Sequence, residues 1–334
     1  MARQIYANQG GIFAACQEGK QEKVDAEWRK SDRQGGVESY EYSFLIEGGK
    51  FVKCLDNFEQ IKNRMNQKNI CSALLPYEQD AWAAMTEEIR DGRLRRICSV
   101  PFSDEDFTVM YSAYFRLKWL DALEKCVERN GPTILEVGSG SSVNIPNALT
   151  IFDPNAKYIT ANMNKILTEG LRLNTASLPI SIRVIEDDAN NIKNYLPPDS
   201  VDAIVFEHSV NDVLQAIICE QNGMDTTNSD WFEIISEMIQ LICAEYENNN
   251  LEKVVKAPFL SLISNCMSVL KPGGFIIMQH YMFQYDLDLG YNPELWENML
   301  PTVRPWLNDI LTGKEVEMST FDPQWWIFFQ KQGV

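Results

Sequence analysis

His208 and His280 are the only histidines in this chain of 334 residues, and imidazole is the side chain best suited to proton transfer near neutral pH. Each follows an apolar run of strand type, and Glu207 stands directly before His208. If the two strands are neighbours in one sheet, as the resemblance described below implies, their ends bring both rings to the same edge. We therefore predict that His208, His280 and Glu207 are catalytic. One imidazole would act as general base, and Glu207 would orient that imidazole or the substrate group that loses the proton. A hydrogen-bonded structural role is the alternative for each ring.

The stretch ILEVGSGSS, residues 134–142, predicts a strand that runs into a glycine-rich turn. In a doubly wound sheet the first such turn lies at the ligand-binding edge, and its glycines let backbone approach the ligand. A GxG pattern by itself is also common where glycine serves only packing. The acid Glu136 and the pair Ser141 and Ser142, in place of a third glycine, are not typical of nicotinamide-binding turns.

Composition and charge exclude several classes of protein. The chain is 45% hydrophobic and 23% charged, which is typical of globular proteins with one or two domains. A formal charge of −17, with no Lys/Arg-rich run, disfavours nucleic acid and anionic lipid as partners. The eight cysteines are scattered singly, which favours reduced thiols over a zinc motif or a disulfide framework. We expect a cytoplasmic protein without a signal peptide or a membrane span.

The first hundred residues differ in pattern from the rest. Residues 40–55 alternate around Gly48 and Gly49 as a β-hairpin does, and helical patterning follows over about 57–92. A capping-box arrangement of Ser103 and Asp106 predicts the start of a further helix. We predict a mainly helical extension with a hairpin over 1–102, acting as a lid or in substrate binding, and a second domain over 103–334.

The second domain alternates strand patterns with helix patterns, which predicts an open and largely parallel α/β sheet. Residues 215–257 are too long for an ordinary crossover, and we interpret them as an inserted cap with a helix over 229–247 and Asn228 or Ser229 as its N-cap. The predicted strands are 133–137, 157–161, 182–186, 203–206, 275–279, 315–319 and 325–331.

Four motifs, in this order, resemble the class I S-adenosylmethionine-dependent methyltransferase family. They are ILEVGSGSS, then DDAN at 187–190, DAIVFEHSV at 202–210 and SVLKPGGFIIM at 268–278. The closing WWIFFQK is similar to the last, reversed strand of that fold, so the resemblance covers roughly 107–334. It implies a Rossmann-like doubly wound sheet of order 3-2-1-4-5-7-6 with the last strand antiparallel, and a cofactor across the ends of strands one, two and four.

The resemblance also implies the cofactor S-adenosylmethionine, with S-adenosylhomocysteine as product. Glu136 would receive the methionine amino group, directly or through water, while Gly138 and Gly140 admit the cofactor to the backbone. Asp188 would accept from the adenine amine and the Ala189 amide would donate to a ring nitrogen, with a helix N-cap as the alternative role of Asp188. The implied cofactor-binding residues are Glu136, Gly138, Ser139, Gly140, Asn162, Asp188, Ala189 and Glu207.

Asn162 departs from the family pattern, which has an acid at the end of strand two to hold both ribose hydroxyls. An amide has one acceptor and one donor group, so it can bond a diol without charge assistance. Weaker binding, compensation by another residue and loss of the site are the consequences left open. A metal site of Glu207, His208, Asp212 and His280 is a further alternative. We predict no metal, because His280 and Tyr281 replace the Asp-Asn pair that magnesium-dependent catechol-type members carry after strand five.

We predict methyl transfer to a small-molecule acceptor, as O- or N-methylation, in which positioning and exclusion of water carry most of the catalysis. The predicted acceptor contacts are aromatic, with core packing as their alternative: Tyr111, Tyr114, Trp231 and Tyr281. A protein or peptide methyltransferase with a basic substrate, and a catalytically silent cofactor-binding subunit, are the other hypotheses. We expect neither nucleic acid nor membrane as a partner, and the oligomeric state, including a homodimer, is left open.

Overall fold

The computed structural model describes residues 43–45, 51–54, 80, 83–84, 86–89, 99–100, 110–309 and 312–333. The chain divides into two compact units, of which the larger contains Arg116–Tyr281 and Asp286–Val334. Ala15–Phe115 and Met282–Tyr285 belong to the smaller unit. The domain boundary expected between 102 and 103 stays a prediction.

The smaller unit contains a three-stranded antiparallel sheet of β1 (Ser43–Leu45), β2 (Phe51–Cys54) and β3 (Ser99–Val100), in that order. Leu45 pairs with Phe51 in antiparallel register, so the hairpin predicted within 40–55 is confirmed. The capping-box residues and most of the helical pattern over 57–92 lie outside the described residues.

A seven-stranded sheet forms the centre of the larger unit. Its order is β6-β5-β4-β7-β8-β10-β9, which is the predicted order 3-2-1-4-5-7-6. The first five strands of that row are parallel, and β10 runs antiparallel to both β8 and β9. The strands are β4 (Thr133–Val137), β5 (Lys157–Ala161), β6 (Ser181–Ile185), β7 (Val201–Glu207), β8 (Leu270–Gln279), β9 (Gly313–Glu315) and β10 (Trp326–Lys331).

Of the described helices, one precedes β4, the next five connect the parallel strands together with a 3-10 turn, and the last three connect β8 to β9. They are α1 (Met110–Cys126), α2 (Asn144–Phe152), α3 (Lys165–Thr175), α4 (Val210–Gln221), α5 (Trp231–Glu247), α6 (Leu251–Val269), α7 (Gln284–Asp288), α8 (Pro293–Glu297) and α9 (Met299–Asn308), with a 3-10 turn at Ala189–Asn194. None of the helices in the described ranges has the length and apolar character that crossing a bilayer requires.

The parallel strands are apolar along most of their length because helices cover both faces of such a sheet. The central strand β7 is buried from Ala203 to Phe206. Strand register then fixes which residues leave the sheet together: Glu136 pairs with Val205, and Glu207 pairs with Gln279. The segments that follow β4, β5, β7 and β8 therefore emerge at one edge of the sheet.

Two local predictions are wrong. The strand expected over 315–319 forms at Gly313–Glu315, and the chain turns at 319–320. All residues of this edge strand are exposed, so its sequence has no alternation of apolar and polar residues that burial would require. The N-cap of α5 is Asp230, whose side chain accepts from the Phe232 N–H at 3.0 Å. The Asn228 side chain instead bonds Lys165 and Asp225, and the Ser229 carbonyl accepts from Asn164.

Candidate functional site

The turn after β4 has a backbone that only glycine adopts easily. Gly138 and Gly140 have φ values of +69° and +55°, in the left-handed region. A Cβ at Gly138 would lie 3.1 Å from the Cβ of Ser209, whereas a Cβ at Gly140 would meet only Leu167 Cδ1, at 3.9 Å, among the described atoms. The turn is thus packed at Gly138 and open to approach at Gly140.

Glu136 lies beneath this turn with no exposed surface. Its Oε2 accepts a hydrogen bond from the Tyr158 hydroxyl at 2.5 Å, and its Oε1 has no partner in the described part of the chain. Burial, reinforced by the nearby Glu207 carboxylate, raises the pKa of Glu136 well above its usual range. The side chain therefore retains a buried acceptor that a ligand, or a water bound to one, could satisfy.

Asn162, the residue after β5, uses the two ends of its amide differently. Its Nδ2 donates to the carbonyl of Gly140 at 2.7 Å, while its Oδ1 makes no hydrogen bond within the described residues. The neighbouring strand also holds the turn, because the Ser139 and Thr160 hydroxyls bond at 2.9 Å. The donor of Asn162 thus fixes the turn, and its acceptor is left for a ligand hydroxyl.

Asp188 caps the 3-10 turn Ala189–Asn194, the structural role that the sequence left open. Its carboxylate accepts from the Asn190 backbone N–H at 2.8 Å and from the Asn190 side chain. Ala189 is buried. A cap of this kind fixes the loop after β6, and the contact of Asp188 and Ala189 with adenine stays a prediction.

Glu207, the last residue of β7, connects the glycine turn to α2. One carboxylate oxygen accepts from the Ser142 hydroxyl and the other from Asn144 Nδ2, both at 2.8 Å. Burial raises its pKa to about 7. Both of these hydrogen bonds are to the turn and α2 and neither is to an imidazole, so the carboxylate holds the glycine turn to α2.

His208 and His280 lie together, as the strand order predicts: their rings stack with centroids 4.7 Å apart and planes 12° from parallel. His208 has φ of +48°, an unusual backbone conformation for a residue with a side chain. Its Nδ1 accepts from the Tyr281 backbone N–H at 3.3 Å, which places the ring proton on Nε2, 4.0 Å from Oδ2 of Asp286.

The two imidazoles differ in access to solvent. The side chain of His208 is 23% exposed, whereas His280 is 1% exposed and packs edge-on to Trp296 at 5.0 Å. Burial lowers the pKa of His208 to about 3 and that of His280 well below its usual value. Both rings are therefore neutral at pH 7, and both are weaker bases than an ordinary histidine.

The predicted acceptor contacts are mostly core residues. Tyr114 is fully buried, and the side chain of Tyr111 lies outside what the structure describes. Trp231 packs against Cys219 and Met238 and donates to the Thr226 carbonyl, because it belongs to the core between α4 and α5. Tyr281 is 1% exposed and accepts from Trp326 Nε1 at 2.9 Å. Core packing is thus the observed role of the buried aromatic side chains.

Sequence reasoning missed a cluster beside the histidines, composed of Asp212, Asp286, Tyr291 and Trp296, which we term the acidic-aromatic cluster. Trp296 Nε1 donates to Asp286 Oδ2 at 2.9 Å, and Tyr291 stacks on Trp296 with centroids 3.7 Å apart. Of its members, only Asp212 is a candidate from sequence, in the alternative metal site, and the segment NDVLQ at 211–215 is not a recognised motif. Within the described ranges, no three His, Cys, Asp or Glu side chains are placed to hold a metal ion.

Comparison with known proteins finds distant structural similarity. No protein-family model and no curated protein matches the chain. Similar solved structures include a SAM-dependent methyltransferase from Aquifex aeolicus, at 15% identity over 64% of this chain and 88% of that chain, with a TM-score of 0.40. The pyocyanin biosynthetic protein PhzM is 13% identical over 66% of this chain and 56% of that chain, with a TM-score of 0.40. A SAM-dependent O-methyltransferase from Thermotoga maritima is 13% identical over 66% of this chain and 64% of that chain, with a TM-score of 0.35. These values are too low to support a conclusion about function.

Proposed function

We propose that this protein is an S-adenosylmethionine-dependent methyltransferase that acts on a small molecule. The turn after β4 carries the proposal, because its backbone is open at Gly140 and two oxygens of the residues around it, Glu136 Oε1 and Asn162 Oδ1, have no hydrogen-bond partner among the described residues. When bound, the cofactor supplies an electrophilic methyl group on a positively charged sulfur. The residues of the chain bind it, orient it and exclude water.

The residues at this edge fit the polar groups of the cofactor. Glu136 has no exposed surface, so a bridging water is the better route between its Oε1 and the methionine amino group. Asn162 Oδ1 would accept from one ribose hydroxyl. Asp188, with the Ala189 amide, would bind adenine, since a capping carboxylate retains lone pairs for a further donor.

Enclosure favours a small acceptor over a protein segment. Beside the ends of β7 and β8, His280 and Trp296 are each 1% exposed and Asp286 is 8% exposed. A flat peptide-binding surface would leave such side chains more accessible. The charge of −17 is the observation that favours the second candidate, methylation of a basic peptide.

Of the two histidines, His208 is the better candidate for a role in catalysis, because it is the more exposed. In the observed geometry its Nε2 carries the proton, so it can donate a hydrogen bond that orients an acceptor. It becomes a general base for O- or N-methylation only if the Tyr281 N–H leaves Nδ1. His280 supports His208 by stacking.

The test is calorimetric binding of S-adenosylmethionine and S-adenosylhomocysteine to the wild-type protein and to two glycine variants. Gly140→Ala adds a methyl group where the cofactor should approach the backbone. Gly223→Ala is the matched control, because Gly223 also has a positive φ, +74°, and nothing within 4 Å of its Cβ position, but follows α4. Both substitutions cost about 1 kcal/mol of stability from backbone strain.

We expect micromolar cofactor binding in the wild type and in Gly223→Ala, and at least tenfold weaker binding in Gly140→Ala. Equal affinity of the two variants would reject the assigned turn. Absence of binding to the wild type at millimolar cofactor would reject the enzyme. Binding without transfer to small molecules, but with transfer to a lysine-rich peptide, would favour the second candidate.

A further inference from the structure

Ser209 occupies the N-cap position of α4, yet its side chain makes no capping hydrogen bond to that helix within the described part of the chain. A serine hydroxyl at such a position normally accepts from a backbone N–H of the first helical turn. The Ser209 side chain is instead completely buried, and its hydroxyl donates to the carbonyl of Val137 at 2.6 Å. The hydroxyl therefore connects two segments that are 72 residues apart in sequence.

Val137 lies beyond the last residue of β4 that pairs with β7. The register of β4 with β5 continues to Val137 and Ala161, whereas its register with β7 ends one residue earlier, at Glu136 and Val205. The Ser209 hydroxyl thus extends the connection between β4 and β7 beyond their paired residues. Its acceptor is the carbonyl directly before the glycine turn.

The residues on either side of this bond have left-handed backbone conformations. Gly138 follows Val137 and has φ of +69°. His208 precedes Ser209 and has φ of +48°, a conformation that costs free energy at a histidine and persists only where the surroundings impose it. The backbone N–H of His208 donates to the Gln279 carbonyl at 2.9 Å. This bond and that of Ser209 hold His208 from both sides and so fix the direction of its ring.

Close packing at Ser209 acts together with the hydrogen bond. A Cβ at Gly138 would lie 3.1 Å from the Cβ of Ser209 and 3.6 Å from its Oγ. The glycine turn and the turn that carries His208 therefore cannot move closer together at this point. The hydrogen bond to Val137 opposes their separation, so the distance between the two turns is fixed in both directions.

We propose that Ser209 is a positioning residue that holds the glycine turn and His208 in one fixed geometry. The inference rests on the proposed function, in which the glycine turn binds the cofactor and His208 orients the acceptor. Methyl transfer depends on the alignment of these two groups, and a small displacement of either one lowers the rate. Ser209 acts through the two turns that its side chain connects.

The first measurement is NMR of the histidine ring nitrogens in the protein without cofactor. The chain has two histidines, so the spectrum contains two sets of ring signals, and His280→Asn assigns the set that belongs to His208. His208 should have a single tautomer with the proton on Nε2, because its Nδ1 accepts from the Tyr281 N–H at 3.3 Å. The variants are Ser209→Ala, Ser209→Cys and the control Ser268→Ala. The Ser268 hydroxyl also donates to a backbone carbonyl at 2.6 Å, but within α6.

Ser209→Ala should bring the two nitrogen signals of His208 closer together, because loss of the bond lets the ring leave Tyr281 and exchange between its two neutral tautomers. Ser209→Cys fills the same space with a weaker donor and should have a smaller effect in the same direction, so it replaces the alanine variant if that variant does not fold. Ser268→Ala should give the wild-type signals. Unchanged His208 signals in the folded Ser209 variants, or the same change in Ser268→Ala, would overturn the proposal.

Calorimetric titration with S-adenosylhomocysteine tests the effect on the glycine turn. The folded Ser209 variant should bind at least tenfold more weakly than the wild type, because its turn is no longer held at Val137, and Ser268→Ala should bind as the wild type does. Wild-type affinity in the Ser209 variant would overturn the proposal. Absence of binding to the wild type would reject the proposed function instead, and the NMR measurement would still decide whether Ser209 positions His208.

Discussion

At the scale of single residues, Asn162 has an amide at the position where the resemblance implies a carboxylate, and the two ends of that amide have different roles. A carboxylate at this position would offer acceptors only, whereas the amide donates to the Gly140 carbonyl and keeps one acceptor. The donor end of the side chain thus fixes the turn, and the acceptor end is the group that we propose for a ribose hydroxyl.

Asn162→Asp should weaken S-adenosylhomocysteine binding at pH 7 by at least tenfold, because a carboxylate cannot donate to Gly140 and would repel its carbonyl. Calorimetry measures the change. Asn248→Asp, an exposed position at the end of α5, is the control for added charge and should bind as the wild type does. Equal or tighter binding by Asn162→Asp would mean that the ribose is held through charge and that the turn does not need the amide.

Asp212 has a cost for stability that depends on pH. Its pKa is raised from 3.8 to about 7 in the folded protein, first by burial and then by Asp286. Below about pH 4 the carboxyl is protonated in both the folded and the unfolded state. As pH rises from 4 through 7, the Asp212 carboxyl ionises more easily in the unfolded chain than in the folded protein, so the free energy of unfolding falls. The loss of stability is complete above pH 7. The other titratable groups that face this cluster are Asp286, Tyr291 and His208.

Asp212→Asn should therefore be more stable than the wild type at pH 8, by an amount on the order of a few kcal/mol, and gain little at pH 4. Urea unfolding at both pH values measures the difference. Asp309→Asn has an exposed side chain and should show no such pH-dependent gain. A difference that is the same at pH 4 and pH 8 would refute the titration of Asp212.

At the scale of elements, β4 and β5 together support the glycine turn. The pairing of Thr133–Val137 with Lys157–Ala161 places the Tyr158 hydroxyl on Glu136 and the Thr160 hydroxyl on Ser139. These contacts are buried, so they hold the turn by hydrogen bonds that water cannot replace. The geometry at Gly140 is thus a property of two adjacent strands.

Tyr158→Phe should lower the free energy of unfolding by about 1–3 kcal/mol, because both oxygens of the buried Glu136 would then be without a partner. Tyr195→Phe is the matched control: its hydroxyl makes a similar bond to Asp187 at 2.7 Å, but at the surface. Denaturant unfolding compares the two. A loss in Tyr195→Phe as large as that in Tyr158→Phe would show that burial of the Glu136 bond contributes nothing.

At the scale of the whole molecule, charge restricts the partners. The chain has 30 Lys and Arg residues against 47 Asp and Glu residues, which gives the net charge of −17. A surface of this sign repels phosphate backbones and attracts cations.

We expect no binding of a short fluorescein-labelled single-stranded RNA at physiological salt, measured by anisotropy, because little counterion release is available to drive it. The same measurement at low salt is the control for a local basic patch. Binding at physiological salt that weakens steeply as more salt is added would contradict the prediction that nucleic acid is not a partner.

The sequence by itself determined the sheet. β4 and β5 form at the predicted residues, because buried parallel strands are continuous apolar runs and the glycines after β4 end the first of them. The same pattern located His208 and His280 at strand ends, and the strand order implied by the resemblance made those strands neighbours. It failed at β9, an exposed edge strand whose residues have no burial pattern to detect.

Tertiary structure alone decided which polar groups meet. Glu207 bonds Ser142 and Asn144, and Asp286 contacts Trp296, through side chains that a strand pattern does not place. Asp212 and Asp286 are far apart in sequence, and neither belongs to a motif. Their proximity, and the loss of hydration that accompanies it, arise only when α4, α7 and α8 pack together. Burial and neighbouring charge therefore depend on tertiary packing around His208 and Asp212, whereas local sequence set the glycine turn after β4.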